Sequence, residues 1–315
     1  MYAVRSVLVA TCVGAFGLVV APGVSQAAKH AKAPRPFYMA LGDSYSVGFQ
    51  PNVGGPGGSA TTGYTGHVAK KLKMQLENFG CGGATTTSII TAIGCTESGF
   101  GPVAATDAVP YPTTTQEQAA LDFIANPANQ GKVGLITISI GGNDVTSCAR
   151  AGSTGAILAC VEAADTAITS NVTSLVSSLH AALTAAGDSA HIVGLTYPDV
   201  ILGDWVYPSG SPNQNLAGLS VAAFDGLINP ALQAAYGSAN FVNVTQAPYK
   251  KAVAGDDSDA AALALPLVNT PPYGKIPPAV WEICKLTYFC SQGNIHANSK
   301  GYAFIGRLVV AHLAA

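Results

Sequence analysis

The sequence predicts an α/β protein built on a mostly parallel, doubly wound sheet of five strands. Five short apolar runs recur along the chain, and near-continuous apolar runs of this kind are typical of parallel strands buried on both faces. Helix-like segments separate these runs, as the crossovers between parallel strands require. The length of 315 residues fits a single large domain, and the sequence contains no internal repeat or interdomain linker.

The predicted strands and helices alternate along the chain. In order, the strands are Phe37–Leu41, Met74–Phe79, Gly134–Ile140, His191–Thr196 and Asn240–Val244. The helices are Gly66–Lys73, Thr115–Ile124, Ile157–Ala186, Leu219–Tyr236 and Ser299–Ala314. Asn298 or Ser299 can cap the last helix. In such a sheet, ligands bind at the carboxyl ends of the strands.

Three segments do not fit the strand–helix alternation. They are rich in Gly, Pro, Ser, Thr or aromatic residues and span Asn52–Thr65, Val200–Asn215 and Gly255–Pro278. Long insertions in a compact domain often form lids or pocket walls, so we predict functional loops here. Apolar side chains of the second segment could line a ligand pocket or could simply anchor the loop; they are Ile201, Trp205, Val206 and Tyr207.

The N-terminus predicts export of the protein from the cell. Arg5 precedes a short apolar run, Val7–Val20, and the small residues that end at Ala27 form a site for signal peptidase. We therefore expect a signal peptide over residues 1–27, a flexible leader over 28–36, a single folded domain over 37–315 and an extracellular location. A membrane anchor is the alternative, but the apolar run is short and Pro22-Gly23 interrupts it.

Composition and cysteine content narrow the functional classes. The formal net charge of −2 offers no basic surface for nucleic acid. Six cysteines follow the predicted signal peptide, and an even number in an exported chain suggests disulfides. Many pairings are open to six cysteines, but their spacing favours three local pairs, Cys81–Cys95, Cys148–Cys160 and Cys284–Cys290. A CxxC motif and a histidine cluster near the cysteines are both missing, which argues against a bound metal.

Polar or glycine residues follow three of the predicted strands at the edge where a ligand would bind. Ser44 comes directly after the first strand. A glycine-rich turn that includes Gly83 follows the second, and Asn143 follows the third. Acyl transfer needs a nucleophile and hydrogen-bond donors aimed at the developing oxyanion. Each residue alone could equally be a helix cap or a turn residue, but their arrangement at three successive strand ends favours a catalytic site.

A histidine would serve as the general base, and His296 is the best candidate. The positions of the other histidines, in the leader, on helices or at a strand start, favour structural roles; these are His30, His67, His180, His191 and His312. His296 lies in a loop before the last helix and shortly after Cys284 and Cys290, so a disulfide could hold it in place.

These residues resemble the four sequence blocks of the SGNH hydrolases, also called GDSL lipases/esterases. In the family's order, the matching stretches are GDSY at Gly42–Tyr45, NFGCGGAT around Gly83, GGND around Asn143 and the segment around His296. The cysteine placement also resembles the secreted actinobacterial lipase/esterase branch. The resemblance implies a flavodoxin-like three-layer α/β/α sandwich and ester hydrolysis without a metal or other cofactor.

The same resemblance assigns roles to individual residues. It implies that Ser44 is the nucleophile and that His296 is the general base. The oxyanion hole would comprise the backbone N–H groups of Ser44 and Gly83 and the side chain of Asn143. Asp43 and Asp144 are predicted to be structural, through bonds to backbone N–H groups or by capping a helix.

The sequence departs from the family pattern beside the histidine. The family usually has an aspartate three residues before it, where this chain has Gly293, and residue 294 is an asparagine. The acid of a catalytic triad orients the imidazole and stabilises its charged form. We therefore predict a dyad in which a main-chain carbonyl within Lys285–Gln292 accepts a hydrogen bond from His296, with the Asn294 side chain as the second candidate.

The sequence as a whole predicts a serine ester hydrolase that cleaves lipid or alkyl/aryl esters through an acyl-enzyme. It would bind a small-molecule or lipid ester, touch lipid surfaces transiently, lack a nucleic-acid partner and act as a monomer. A carbohydrate O-acetyl esterase is the alternative with the same chemistry, and it would need a shallow, polar site with an aromatic platform. A secreted binding protein on an inactive hydrolase fold is the alternative from another class, and contact between Ser44 and His296 discriminates against it. Nucleotide binding is disfavoured because the sequence has no phosphate-loop motif.

Overall fold

Eleven strands are present in the computed structural model, which describes residues 34–51, 53, 58–95, 103–206, 213–248 and 259–315. In chain order they are β1 (Phe37–Gly42), β2 (Gln75–Asn78), β3 (Cys81–Gly82), β4 (Val103–Ala104), β5 (Val133–Ser139), β6 (His191–Leu195), β7 (Phe241–Val242), β8 (Val268–Asn269), β9 (Lys275–Ile276), β10 (Thr287–Tyr288) and β11 (Asn294–Ala297). Five of them form one sheet in the order β2-β1-β5-β6-β7, and every pair in it is parallel. The remaining six form three short antiparallel pairs.

The helices of the described chain connect and flank this sheet. They are α1 (Tyr64–Leu72), α2 (Ser88–Thr91), α3 (Gln116–Ala125), α4 (Gly142–Thr146), α5 (Thr154–Ala186), α6 (Gln214–Ala223), α7 (Asn229–Tyr236), α8 (Asp259–Ala264), α9 (Pro278–Leu286), α10 (Phe289–Gln292) and α11 (Ser299–His312). Short 3₁₀ segments include Ser147–Arg150 and Val200–Trp205, and a π-helical turn, Phe224–Ile228, separates α6 from α7. None of the described helices is both long enough and apolar enough to span a bilayer.

The sheet confirms the predicted fold class. All five predicted strands are present with ends shifted by a few residues, and their order is that of flavodoxin-like sheets. Helices α1 and α11 pack together, while α3, α5 and α7 form a second packed group, as expected for a three-layer sandwich. The predicted capping of the last helix is also correct, because the Asn298 side chain accepts hydrogen bonds from the backbone N–H groups of Lys300 and Gly301.

Strand β2 differs from the expectation of strands buried on both faces. It lies at the edge of the sheet, and Gln75 is exposed while Leu76 and Glu77 are half-buried. An edge strand has one free side, so polar side chains are tolerated there. The central strands β1 and β5 are buried almost throughout, and Tyr38, Met39, Ile136 and Ile138 lie in the main core.

The segments predicted as loops contain more regular structure than expected. Residues 200–205 form a 3₁₀ turn, and the segment before Pro278 contains α8 and the β8–β9 hairpin. Together with α6 and α9 these elements form a second, smaller apolar cluster, to which Leu202, Val221, Ile276, Val280 and Ile283 contribute. Parts of the three segments, including Tyr207, lie outside the described residues, as do the predicted signal peptide, most of the leader, Cys12 and His30.

Three disulfides join the cysteines that the spacing pairs. Cys81 is bonded to Cys95, Cys148 to Cys160, and Cys284 to Cys290, with Cα–Cα distances of 5.4, 5.5 and 5.2 Å. The bridges Cys81–Cys95 and Cys148–Cys160 close loops that follow β2 and β5, and the bridge Cys284–Cys290 closes a loop shortly before α11. The bridges close short loops that contain Gly83 or lie a few residues from Asn143 and His296 in the chain.

Candidate active site

Ser44 lies immediately beyond the carboxyl end of β1 because the strand ends in a very close approach to β5. Gly42 has φ +127°, and a Cβ atom there would overlap the carbonyl oxygen of Ser139. Only glycine fits, so the chain can pair with β5 and then turn sharply away. The next residues form a hydrogen-bonded turn and not a helix, so the alternative of Ser44 as a helix N-cap does not apply.

His296 faces Ser44 from the other end of the sequence. Its Nε2 atom lies 2.8 Å from the Ser44 Oγ atom. The turn that brings it there is made by Gly293, which ends α10 with φ +64° and starts β11. The disulfide between Cys284 and Cys290 closes the segment just before this turn. The sequence prediction of these two residues as partners therefore agrees with their geometry.

The partner of the imidazole is a side chain, and the prediction of a main-chain carbonyl within Lys285–Gln292 was wrong. The Oδ1 atom of Asn294 lies 2.8 Å from His296 Nδ1 and accepts a second hydrogen bond, 3.1 Å long, from the His296 backbone N–H. Because this oxygen accepts both bonds, Nδ1 carries the proton and Nε2 presents its lone pair to Ser44. The asparagine therefore fixes the tautomer that a general base requires.

No described carboxylate contacts His296. Asp144 accepts hydrogen bonds from the backbone N–H and hydroxyl of Thr86, and Asp199 accepts one from the Ser220 hydroxyl. Asp144 thus ties the start of α4 to the turn before α2, a tertiary contact where the sequence predicted a helix cap. Burial lowers the pKa of His296 from its ordinary value to about 4, and no anion opposes this effect. The imidazole is neutral at pH 7 and is ready to accept a proton.

Two aromatic rings lie close to the imidazole of His296. The Phe49 ring centroid lies 4.4 Å from that of His296, and the Tyr45 ring centroid lies 6.0 Å away. The Tyr45 hydroxyl donates to the carbonyl oxygen of Ile295, 2.7 Å away, which attaches the β11 segment to the turn that carries Ser44. The segments that carry Ser44 and His296 are therefore connected by a second, independent contact.

Hydrogen-bond donors from three strand ends face the space beside Ser44. Ser44, Gly83, Asn143 and His296 line one open groove, and Gly83 has φ +81°. Asn143 donates one of its two amide hydrogens to the carbonyl oxygen of Ala84, 2.8 Å away, which orients the side chain and leaves the other hydrogen available. No described residue accepts a hydrogen bond from the backbone N–H of Ser44 or Gly83. These donors can stabilise an oxyanion.

The sequence family agrees with this arrangement. The chain matches the family model described as GDSL-like Lipase/Acylhydrolase over residues 38–309. The chain belongs to this family. Membership in the GDSL-like lipase/acylhydrolase family makes it a carboxylic ester hydrolase. A search of curated proteins finds no significant match.

Solved structures resemble this GDSL hydrolase in fold. An extracellular lipase from Streptomyces rimosus is 20% identical, with 89% of this chain and 100% of that chain covered and a TM-score of 0.48. The lipase Lip_vut3 from a goat rumen metagenome is 15% identical, with 88% and 97% covered and a TM-score of 0.51. The acetylxylan esterase Axe2 from Geobacillus stearothermophilus is 12% identical, with 90% and 95% covered and a TM-score of 0.42.

The turn of the hydrolase that bears Ser44 is supported from beneath by Asp43. One carboxylate oxygen accepts a hydrogen bond from the backbone N–H of Tyr45, 2.9 Å away, and the other accepts from the Tyr197 hydroxyl, 2.6 Å away. The first bond matches the structural role predicted for Asp43. Tyr197 follows β6 and was not foreseen, because nothing in its local sequence indicates a partner 154 residues away. Burial raises the pKa of Asp43 to about 7.

A second cavity, here called the apolar cavity, opens beside Ser44 away from His296. Apolar side chains from α5, the 3₁₀ segment after β6 and the α6–α7 region make up most of its wall; they include Ile157, Val161, Ile201, Leu219, Phe224 and Ile228. Ile201 thus has the position suggested by the sequence. Trp205 and Val206 do not line this cavity and instead pack against the second apolar cluster.

Proposed function

We propose that the protein is a secreted serine esterase that cleaves esters with apolar acyl chains. The observation that carries the proposal is the hydrogen-bonded chain from Ser44 through His296 to Asn294, beside an apolar cavity. The 2.8 Å contact between Ser44 and His296 is the feature expected of a working hydrolase and argues against an inactive binding protein. The three disulfides support an extracellular location after removal of residues 1–27, with residues 37–315 as the catalytic domain.

The proposed reaction proceeds in two halves. His296 Nε2 takes the proton from Ser44 Oγ as the oxygen attacks the ester carbonyl, and the negative charge on the carbonyl oxygen is stabilised by the Ser44 and Gly83 N–H groups and the Asn143 amide. The tetrahedral intermediate collapses when the protonated His296 donates to the leaving alcohol oxygen. The same imidazole then takes a proton from water as the water attacks the acyl-enzyme, and it returns this proton to Ser44 Oγ when the carboxylic acid leaves.

The cavity chemistry favours an apolar acyl group over acetate. The wall of the cavity consists mostly of aliphatic and aromatic side chains, and a longer acyl chain can cover more of this apolar surface than an acetyl group can. A carbohydrate O-acetyl esterase would instead call for a shallow, polar site next to Ser44. Burying each methylene of a longer chain contributes about 0.8 kcal/mol, so affinity should rise with chain length until the cavity is filled.

The test is hydrolysis of p-nitrophenyl esters over acyl chains of two to sixteen carbons, with Ser44→Ala as the matched variant. We expect the wild type to prefer medium or long chains and Ser44→Ala to have no activity above background. Preference for acetate would support an acetyl esterase. No difference between the two proteins on any chain would refute the proposed function.

A further inference from the structure

Arg150 is placed to select the alcohol portion of the substrate. Two spaces meet at Ser44: the apolar cavity and the open groove lined by Gly83, Asn143 and His296. His296 must donate a proton to the leaving oxygen, and it lines the groove but not the cavity. On the proposed function, the acyl chain therefore occupies the cavity and the alcohol occupies the groove.

The groove has one fully charged side chain among the described residues that line it, and this is Arg150. His296 is neutral, because burial lowers its pKa to about 4. Neither Asp43 nor Asp144 lines the groove, since both are held by hydrogen bonds elsewhere. An anion in the groove would therefore meet a positive charge without a competing carboxylate.

Arg150 belongs to the same helical segment as an oxyanion-hole residue. Helix α4 continues directly into the 3₁₀ segment Ser147–Arg150, and Asn143, Thr146 and Arg150 all line the groove. From Asn143 to Arg150 the α-helical and 3₁₀ turns together rise about 12 Å, and helical side chains lean toward the N-terminus, here toward Asn143. The disulfide from Cys148 to Cys160 fixes this segment to α5. The distance between Asn143 and Arg150 suits a substrate whose anionic group lies a few bonds from the ester.

The Arg150 side chain is exposed, and no hydrogen bond or ion pair joins it to another described residue. A guanidinium that is not engaged by the protein is available to bind phosphate or carboxylate in a two-pronged geometry. We propose that Arg150 is a specificity-determining residue that recognises an anionic group, phosphate or carboxylate, on the leaving alcohol. The preferred substrate would be an anionic amphiphile: an apolar acyl ester of an alcohol that carries this charge. This inference rests on the proposed function.

The test compares three lauroyl esters below their micelle concentrations: monolauroylglycerol, which is neutral, lauroylglycerol phosphate and O-lauroyl lactate. Release of lauric acid gives kcat and KM for each. The wild type should prefer the charged esters by about fivefold in kcat/KM, through a lower KM, and about 0.5 M salt should reduce this preference. A preference for the phosphate ester alone would show that Arg150 recognises phosphate. A preference for both charged esters would show that it recognises either anionic group on the alcohol.

Variants separate recognition from structure. Arg150→Gln should lower the charged-to-neutral ratio of kcat/KM to about one, through a loss on the charged esters that exceeds any loss on monolauroylglycerol, and Arg150→Lys should restore part of the ratio. Arg307 is an exposed arginine on α11 that lines neither the cavity nor the groove. Arg307→Gln is therefore the matched control and should keep the wild-type ratio. An unchanged ratio in Arg150→Gln, or an equal loss on the neutral ester, overturns the proposal. Activity on the neutral ester with no preference in the wild type overturns it too, while absence of all esterase activity refutes the proposed function itself.

Discussion

The Nδ1 atom of His296 lies 2.8 Å from the side-chain oxygen of Asn294, so a neutral amide stands where a catalytic triad has a carboxylate. The amide oxygen selects the tautomer but contributes no full negative charge. In a serine protease, replacing the triad aspartate by asparagine loses about 10⁴ in rate, largely through the wrong tautomer. Here Asn294 accepts from Nδ1–H, so the tautomer is retained and only the charge is missing.

The absence of a nearby charge gives the enzyme an unusual acid limit. A general base works only when unprotonated, and burial lowers the pKa of His296 to about 4. We expect kcat/KM to stay near its neutral value down to about pH 5 and to fall through a midpoint near pH 4. Circular dichroism at each pH would verify that the protein remains folded. A midpoint at or above the ordinary pKa of histidine, about 6.5, would contradict this assignment.

A carboxylate in place of the Asn294 amide should raise the pH at which activity is lost on the acid side. In Asn294→Asp, the carboxylate would stabilise the imidazolium and raise the pKa of His296 by about 1 to 3 units. The rate at neutral pH should increase by roughly tenfold, because the transition state contains the imidazolium. Asn294→Ala should lower kcat by about 10- to 100-fold, since nothing then orients the ring. Identical pH profiles for wild type and Asn294→Asp would disprove the role of Asn294.

Asn143 should act on the transition state and not on substrate binding. Removing one oxyanion-hole donor typically lowers kcat by about 10²- to 10³-fold, so we expect this loss in Asn143→Ala with KM little changed. Asn171→Ala is a matched control, because its amide contacts Thr86 and Thr87 and does not line the groove. Steady-state kinetics on a p-nitrophenyl ester would measure both. A loss confined to KM would show that Asn143 only binds substrate.

Asp43 should make stability depend on pH in the direction opposite to that of most carboxylates. Its pKa is raised by burial from 3.8 to about 7, so the folded state holds a proton that the unfolded state releases above pH 4. This contribution to stability is present below about pH 4 and is lost as the pH rises through 7. Asp43→Asn should remove it.

Urea unfolding of wild type and Asp43→Asn between pH 4 and 8 measures this effect. The stability of the wild type relative to the variant should fall with rising pH by up to about 4 kcal/mol, since each unit of pKa shift corresponds to 1.36 kcal/mol. Asp199, whose pKa burial also raises to about 7, is intact in both proteins and cancels in the comparison. A difference that does not change with pH would rule out the raised pKa of Asp43.

The disulfide between Cys148 and Cys160 should affect both stability and catalysis. It closes a loop with a sequence separation of 12, for which chain entropy predicts a stabilisation of about 3 kcal/mol. Replacing both cysteines by serine should lower the free energy of unfolding by about this amount. It should also lower kcat without urea, because the segment that carries Asn143 is then less firmly fixed. Unchanged kcat in the folded variant would show that the bridge serves stability alone.

The sequence was sufficient to predict the strands and site residues that a short local pattern marks. Buried parallel strands such as β5 are short apolar runs, and Ser44, Gly83, Asn143 and His296 stand at predictable strand ends or turns. The partner of His296 could not be ranked correctly, because the choice between Asn294 and a main-chain carbonyl depends on the turn at Gly293.

Contacts between distant segments left no local trace in the sequence. The bond from Tyr197 to Asp43 joins the carboxyl ends of β6 and β1, which lie on either side of β5 and come together only in the folded sheet. The sequence did not predict the wall of the apolar cavity either, because the apolar side chains of α5 and α6 would suit a buried core equally well. The small helix α8 and the β8–β9 hairpin were read as loop, since tertiary packing and not sequence periodicity stabilises them.

The central claim, that His296 activates Ser44 as a nucleophile, is tested most directly by covalent trapping. The protein would be incubated with a p-nitrophenyl alkylphosphonate and examined by intact-mass and peptide mass spectrometry. We predict one adduct per wild-type molecule, located on Ser44, no adduct in Ser44→Ala and a strongly slowed reaction in His296→Ala. An adduct on another residue, or equal labelling of wild type and Ser44→Ala, would contradict the account.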